Sequence, residues 1–198
     1  MKIKICGLTR IVDIEAANTA KPDFVGFVFA ESRRKVESGH ARFLRSHLAE
    51  GIEPVGVFVN EPINNILDIA DAGIINMIQL HGSEDESYIR RLKDRCGIPL
   101  IKAIAVAKSG DVQEWQESCA DYLLLDNKGG GTGAAFDWSL IGSPAKPFFL
   151  AGGLSISNID EAIKSVEPYA IDVSSGVETN GLKDIEKITA IVRRVHNG

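Results

Sequence analysis

A chain of 198 residues, 44% apolar, 25% charged and 7% aromatic, has the proportions of a globular protein with a substantial core, which excludes disordered and fibrous classes. Its formal charge of −5 at pH 7 is spread without a basic block, so nucleic acid and anionic membrane surfaces are not expected partners. No run nears the roughly 20 apolar residues of a membrane span, no signal peptide is expected, and the scattered Cys6, Cys96 and Cys119 suit a reducing cytoplasm better than a disulfide framework.

In chain order, alternating or apolar runs predict eight strands separated by helical spacing. Lys2–Cys6 is the first, and Thr9 precedes the spacing Ile11/Ile14/Ala17 as a candidate helix cap. Phe24–Phe29 and Pro54–Val59 follow, with Asn60-Glu61-Pro62 marking a helix start. After Met77–His81, the segment Ser83-Glu84-Asp85-Glu86 reads as a capping box. Leu100–Ala105 and Tyr122–Asp126 come next, then a short helix from Asp137. Phe148–Ala151, a helix opened by Ser157 before Ile159/Ala162/Ile163, and Ala170–Ser174 complete the set.

Strand starts recur about every 20–30 residues, room for one strand, one helix and two short loops. Continuously apolar runs such as Tyr122-Leu123-Leu124-Leu125 suit parallel strands buried on both faces. Eight such units without a linker leave an open doubly wound sheet or a closed barrel, and the number favours an α/β fold: a single (β/α)8 TIM barrel with short loops over residues 1–198.

In a barrel, chemistry belongs where strands feed the following helices. Asp126 ends a buried strand, where apolar neighbours favour the protonated form of a general acid; its bland alternative is to accept loop N–H groups or pair with Lys128. Cys6 ends the first strand beside Gly7, either as a base or as a small buried hydrophobe. Gly152-Gly153 and Ser174-Ser175-Gly176 follow the seventh and eighth strands, where barrels commonly hold phosphate on loop amides and a short helix N-terminus. A phosphorylated small molecule is therefore the expected partner.

Arg33, Arg34 and Lys35 offer either a guanidinium fork for a carboxylate or phosphate, or a solvated face. His81 is a hydrogen-bond donor at the mouth or a structural histidine, while Gln79 and Asp172 point into the barrel beneath the mouth. Gly129-Gly130-Gly131-Thr132-Gly133 reads equally as lid or linker and matches no nucleotide-binding pattern. The dispersed His40, His47, His81 and His196 form no metal-binding spacing, so no metal is expected.

Several segments together resemble the phosphoribosylanthranilate isomerase family of tryptophan biosynthesis. They are Lys4-Ile5-Cys6-Gly7-Leu8-Thr9, Gly26-Phe27-Val28-Phe29, Val55-Gly56-Val57-Phe58-Val59-Asn60, Gln79-Leu80-His81-Gly82, Leu124-Leu125-Asp126, Gly130-Gly131-Thr132-Gly133 with Phe136-Asp137-Trp138, Ala151-Gly152-Gly153-Leu154 and Asp172 through Glu178. The resemblance spans the chain. It implies a (β/α)8 barrel that performs an Amadori rearrangement without a cofactor, with Asp126 as general acid, Cys6 as general base and Arg34 on the anthranilate carboxylate. It also implies a monomer. The loop before Arg34 lacks the family's usual proline and is one residue shorter, leaving Arg33 beside it as a candidate. Two alternatives stand: a related phosphosugar isomerase of histidine biosynthesis, whose family has aspartate where this chain has Cys6, and a non-catalytic phosphate-sugar binding barrel.

Overall fold

The computed structural model describes residues 1–127 and 136–197. Among them, parallel strands close a barrel in chain order: β1 (Lys2–Cys6), β2 (Phe24–Val28), β3 (Glu53–Phe58), β4 (Met77–Leu80), β5 (Leu100–Val106), β6 (Tyr122–Asn127), β7 (Phe148–Leu150) and β8 (Ala170–Val173). Closure comes from β8 pairing back onto β1, with Lys4 opposite Asp172 and Ile5 opposite Val173. Each predicted strand is present, its ends moved by at most one residue.

Strand alternation sorts the side chains into two layers. Ile3, Ile5, Val25, Phe27, Leu123 and Leu125 pack outward under the helices. Phe24, Val55, Met77, Ile101, Leu124, Phe149 and Ala170 fill the barrel interior. Both faces of the sheet are therefore dry, which is why the strands read as continuous apolar runs. Aromatic edges plug the lower end, with Phe149 5.4 Å from Phe24 and 5.6 Å from Tyr169. Among the described residues, Lys4, Gln79 and Asp172 bring buried polar side chains into the interior on the way to the C-terminal ends of the strands.

The outer layer holds α1 (Ile11–Ala20), α2 (Ser38–Ser46), α3 (Ile63–Asp71), α4 (Glu86–Lys93), α5 (Ile159–Val166) and α6 (Ile185–Asn197). After β5 and β6 the expected α-helices are replaced by single 3-10 turns, Gln113–Trp115 and Trp138–Ile141. The segment from Asp137 is stopped by Gly142 at φ 68° and by Pro144 and Pro147, which leave no room for a second turn. Between β8 and α6 lie a 3-10 turn (Ser175–Val177) and a small antiparallel hairpin of β9 (Glu178–Thr179) and β10 (Leu182–Lys183).

Helix starts also differ from the sequence reading. Arg10, not Thr9, is the cap position of α1, and the buried Asp13 carboxylate accepts the N–H groups of Thr9 and Arg10 at 2.9 Å each. Pro62 precedes α3, Asn60 taking a left-handed turn at φ 51°, and Asn158 rather than Ser157 precedes α5. The box at Ser83–Glu86 does not form. Asp85 caps α4 by accepting from the Tyr88 N–H at 2.8 Å, while Glu84 turns inward.

Glu84 and Lys102 form a buried pair at 2.8 Å on the outer side of the sheet. The carboxylate also takes the N–H groups of Asn60 (2.7 Å) and Gly82 (2.9 Å), and the ammonium donates to the Gly82 carbonyl at 2.7 Å. The pair thus ties the loops after β3 and β4 together. Removing one partner leaves an uncompensated buried charge, so Glu84→Ala is expected to cost about 3–5 kcal/mol of stability, read from the urea midpoint. Burial alone would raise the carboxyl, but the hydrogen bonds from Lys102 and the Asn60 N–H outweigh it and hold it below its ordinary value. Its contribution is therefore present above the unfolded carboxyl pKa, about 4.3, and lost as pH falls through the lower folded value. Wild-type protein should lose this stability on acidification, and Glu84→Ala should show a flatter acid limb.

Candidate active site

The mouth at the strand C-termini holds a cavity of about 370 Å³ lined by Cys6, Arg34, Gln79, His81, Asp126, Gly152, Gly153, Asp172, Ser174 and Ser175, with Val28, Val57 and Ala151 supplying apolar wall. Every predicted site residue lines it except Gly176, whose place is behind the loop: a Cβ built there would lie 2.0 Å from the Leu154 carbonyl oxygen. Having no side chain there, Gly176 lets the loops after β7 and β8 approach closely.

Cys6 ends β1 with its sulfur against Gly26, where a Cβ would come within 2.7 Å of Sγ. Burial pushes the thiol up; Lys4 pulls it down, Asp172 pushes it further up, and Lys183 opposes. Lys4 is two residues earlier on the same strand and therefore on the same interior face. It is fully buried, and its Nζ lies 2.9 Å from Oδ1 of Asp172 on β8. Burial works against the Lys4 ammonium, but Asp172 and Cys6 hold its affinity for the proton above the ordinary lysine value. A fixed cation thus sits beneath the thiol.

Asp126 lies across the mouth on β6, its side chain 15% exposed, with Oδ1 accepting the Asn127 N–H at 2.7 Å. Its other oxygen faces Nε2 of His81 at 3.6 Å. Gln79 donates from Nε2 to Nδ1 of His81 at 2.8 Å, which leaves the imidazole proton on Nε2, directed at the carboxylate. The buried Gln79 Oε1 has no partner in the protein, so a ligand hydroxyl can satisfy it. Lys128 and Gly129–Gly133, read as an ion-pair partner and as lid or linker, lie outside the described residues.

The two small-residue loops meet at the same mouth. Gly152 and Gly153 adopt φ of 85° and 65°, a left-handed turn open to glycine. Opposite them the Ser175–Val177 turn begins directly after β8, and Ser174 Oγ donates to the Cys6 carbonyl at 3.0 Å. Backbone amides at such a turn and at a 3-10 N-terminus suit an anion.

The basic cluster divides. Lys35 pairs with Glu31 on the surface, as a solvated face would. Arg34 lines the cavity, while Arg33 is 57% exposed and does not. Both guanidinium groups rest on Glu178, which also receives the buried Lys183. Glu178, Lys183 and Lys4 carry no site assignment in the sequence reading. Only Lys4 had a local signal, a charged residue on the same face as Cys6 in an apolar strand. Among the described residues, no group of three or more His, Cys, Asp or Glu side chains is placed to hold a metal ion, and no helix is long and apolar enough to cross a membrane.

A family model described as N-(5'-phosphoribosyl)anthranilate (PRA) isomerase matches residues 3–194. The chain is 48% identical over 196 residues to N-(5'-phosphoribosyl)anthranilate isomerase of Endomicrobium trichonymphae, covering 97% of this chain and 96% of that protein. Among solved structures it resembles monomers made from the dimeric phosphoribosylanthranilate isomerase of Thermotoga maritima, with a TM-score of 0.87, 36% identity and full coverage of both chains. A phosphoribosylanthranilate isomerase in complex with reduced 1-(O-carboxyphenylamino)-1-deoxyribulose 5-phosphate matches with a TM-score of 0.87, 35% identity and the same coverage.

Proposed function

The chain belongs to the N-(5'-phosphoribosyl)anthranilate isomerase family, and from that premise we propose how its cavity divides the work of the reaction. The enzyme is the isomerase of tryptophan biosynthesis that converts N-(5'-phosphoribosyl)anthranilate into 1-(2-carboxyphenylamino)-1-deoxyribulose 5-phosphate. The histidine-pathway and binding-barrel alternatives give way to that assignment.

Asp126 protonates the furanose ring oxygen while the anilino nitrogen lone pair breaks the C1'–O bond, opening the ring to an iminium. Cys6, as thiolate, removes the C2' proton and gives an enolamine. Loss of the 2'-hydroxyl proton and protonation at C1' then yield the ketone. Each side chain moves one proton, and no redox partner enters. Phosphate rests on the Gly152-Gly153 and Ser174-Ser175 loops, with Gly176 fixing their spacing, and the ring carboxylate meets Arg34. Gln79 and Asp172 receive sugar hydroxyls, and His81, its Nδ1 taken by Gln79, turns its Nε2–H to the Asp126 carboxylate as it forms. We also infer that residues 1–198 act as one catalytic unit, in the cytoplasm and as a monomer; light scattering distinguishes this from the dimer named for the Thermotoga relative.

One observation carries the reading: Cys6 and Asp126 line the same cavity as both small-residue loops. Loss of anthranilate fluorescence on adding purified protein to substrate is expected, with inorganic phosphate raising apparent KM and leaving kcat unchanged. Turnover that is absent, or indifferent to Asp126→Asn, overturns the assignment of roles.

A further inference from the structure

We propose that Glu178 is the positioning residue for Arg34, holding one edge of its guanidinium so that the other edge is presented to a carboxylate on the substrate's aromatic ring. This rests on the reading that such a substrate occupies the mouth.

Glu178 opens β9 directly opposite Lys183 of β10, and only 5% of its side chain is exposed. Its Oε1 accepts from Arg34 Nε at 2.7 Å and Lys183 Nζ at 2.8 Å; its Oε2 accepts from Arg34 Nη2 at 3.1 Å and Arg33 Nη2 at 2.6 Å. Four charge-assisted bonds fill the roughly four acceptor sites of a carboxylate. Glu178 therefore has no capacity left for a ligand, and its action is through its partners. Burial alone would raise its carboxyl, but Arg34 and Lys183 hold it below the ordinary value, so it stays ionised.

A guanidinium has two bidentate edges, Nε with Nη2 and Nη1 with Nη2. Glu178 takes the first, and the second remains for a carboxylate. The stem of Arg34 is fixed independently, because it crosses Gly7, where a Cβ would stand 2.4 Å from Arg34 Cδ and the backbone has φ 82°. Head and stem are thus held by different elements, the stem by the residue that follows Cys6. Arg33 approaches the same carboxylate from solvent, which makes Arg34 the arginine that faces substrate. Three cations around one carboxylate leave a formal excess of two positive charges at this wall, complementary to a substrate carrying both carboxylate and phosphate.

A purely structural role for Glu178, tying the hairpin to the loop after β2, predicts equal losses for all ligands. The test compares inhibition by reduced 1-(2-carboxyphenylamino)-1-deoxyribulose 5-phosphate with inhibition by the analogue lacking the ring carboxylate. Wild type is set against Glu178→Gln and against Glu178→Gln/Lys183→Met, which leaves no buried cation stranded. In both variants Ki for the carboxylated analogue should rise about tenfold or more, KM should rise more than kcat falls, and Ki for the carboxylate-free analogue should stay within about twofold. In an Arg34→Ala background, Glu178→Gln should add nothing further. An unchanged Ki ratio in wild-type-like turnover, or equal losses for both analogues, overturns the positioning role while the isomerase reading stands. Wild-type protein that neither binds nor converts substrate overturns both.

Discussion

Asp126→Asn is expected to lower kcat by about 10²–10⁴-fold, the usual contribution of a positioned acid or base, with KM changed far less. Asparagine keeps the shape of the side chain and its hydrogen bond from the Asn127 N–H but has no proton to give the ring oxygen. Cys6→Ser should fall in the same range, because a hydroxyl ionises far less readily than a thiol in the same buried place. The pH profile separates the two roles. A base must be deprotonated, and burial pushes the Cys6 thiol up against the opposing pull of Lys4 and Lys183. Activity of the wild type should therefore rise with pH along an acid limb set by the thiol. Lys4→Met removes the cation beneath the sulfur and should move that limb to higher pH; in Lys4→Met/Asp172→Asn the pushing charge is removed as well, and the limb should move back. Stopped turnover across a pH series reads these shifts directly. A limb that ignores Lys4 would mean that Cys6 is not the titrating base.

The strand framework was legible because burial on both faces leaves a pattern that local chemistry alone sets: Tyr122-Leu123-Leu124-Leu125 is apolar throughout, and Asp126 breaks it where the mouth begins. The helical layer was less so. The helices expected after β5 and β6 are single turns, the second of them stopped by Gly142, Pro144 and Pro147, while the caps of α1 and α4 are chosen by which carboxylate turns inward. Glu84 looked like part of a surface cap, and only the approach of Lys102, 18 residues away, makes it a buried ion. Arg34 and Glu178 are 144 positions apart, and nothing in either neighbourhood announces the pair. Such contacts are set by barrel closure, which pairs β8 with β1 and so leaves β2 one strand away, and no period in the sequence records it.

Gly176→Ala is expected to damage stability and phosphate affinity together. Gly176 sits inside the Ser175–Val177 turn with no positive φ to relieve, so the obstacle is contact alone. A methyl there would lie 2.0 Å from the Leu154 carbonyl oxygen and 3.0 Å from its carbon. Both are backbone atoms of the loop that carries Gly152 and Gly153, so no side-chain rotation makes room and the two loops must separate. Overpacking of this kind costs about 1–3 kcal/mol and occasionally more; with a rigid neighbour the upper end is expected, together with a rise of about tenfold or more in the Ki of inorganic phosphate. Gly39→Ala supplies the contrast. That residue lies in α2 with nothing within 4 Å of a built Cβ, so alanine should raise stability by about 0.5–1 kcal/mol through helix propensity. Thermal midpoints should therefore move in opposite directions for the same chemical change, and only Gly176→Ala should weaken phosphate inhibition. Equal effects at the two glycines would mean that the loops yield to the methyl and that their spacing does not set the anion site.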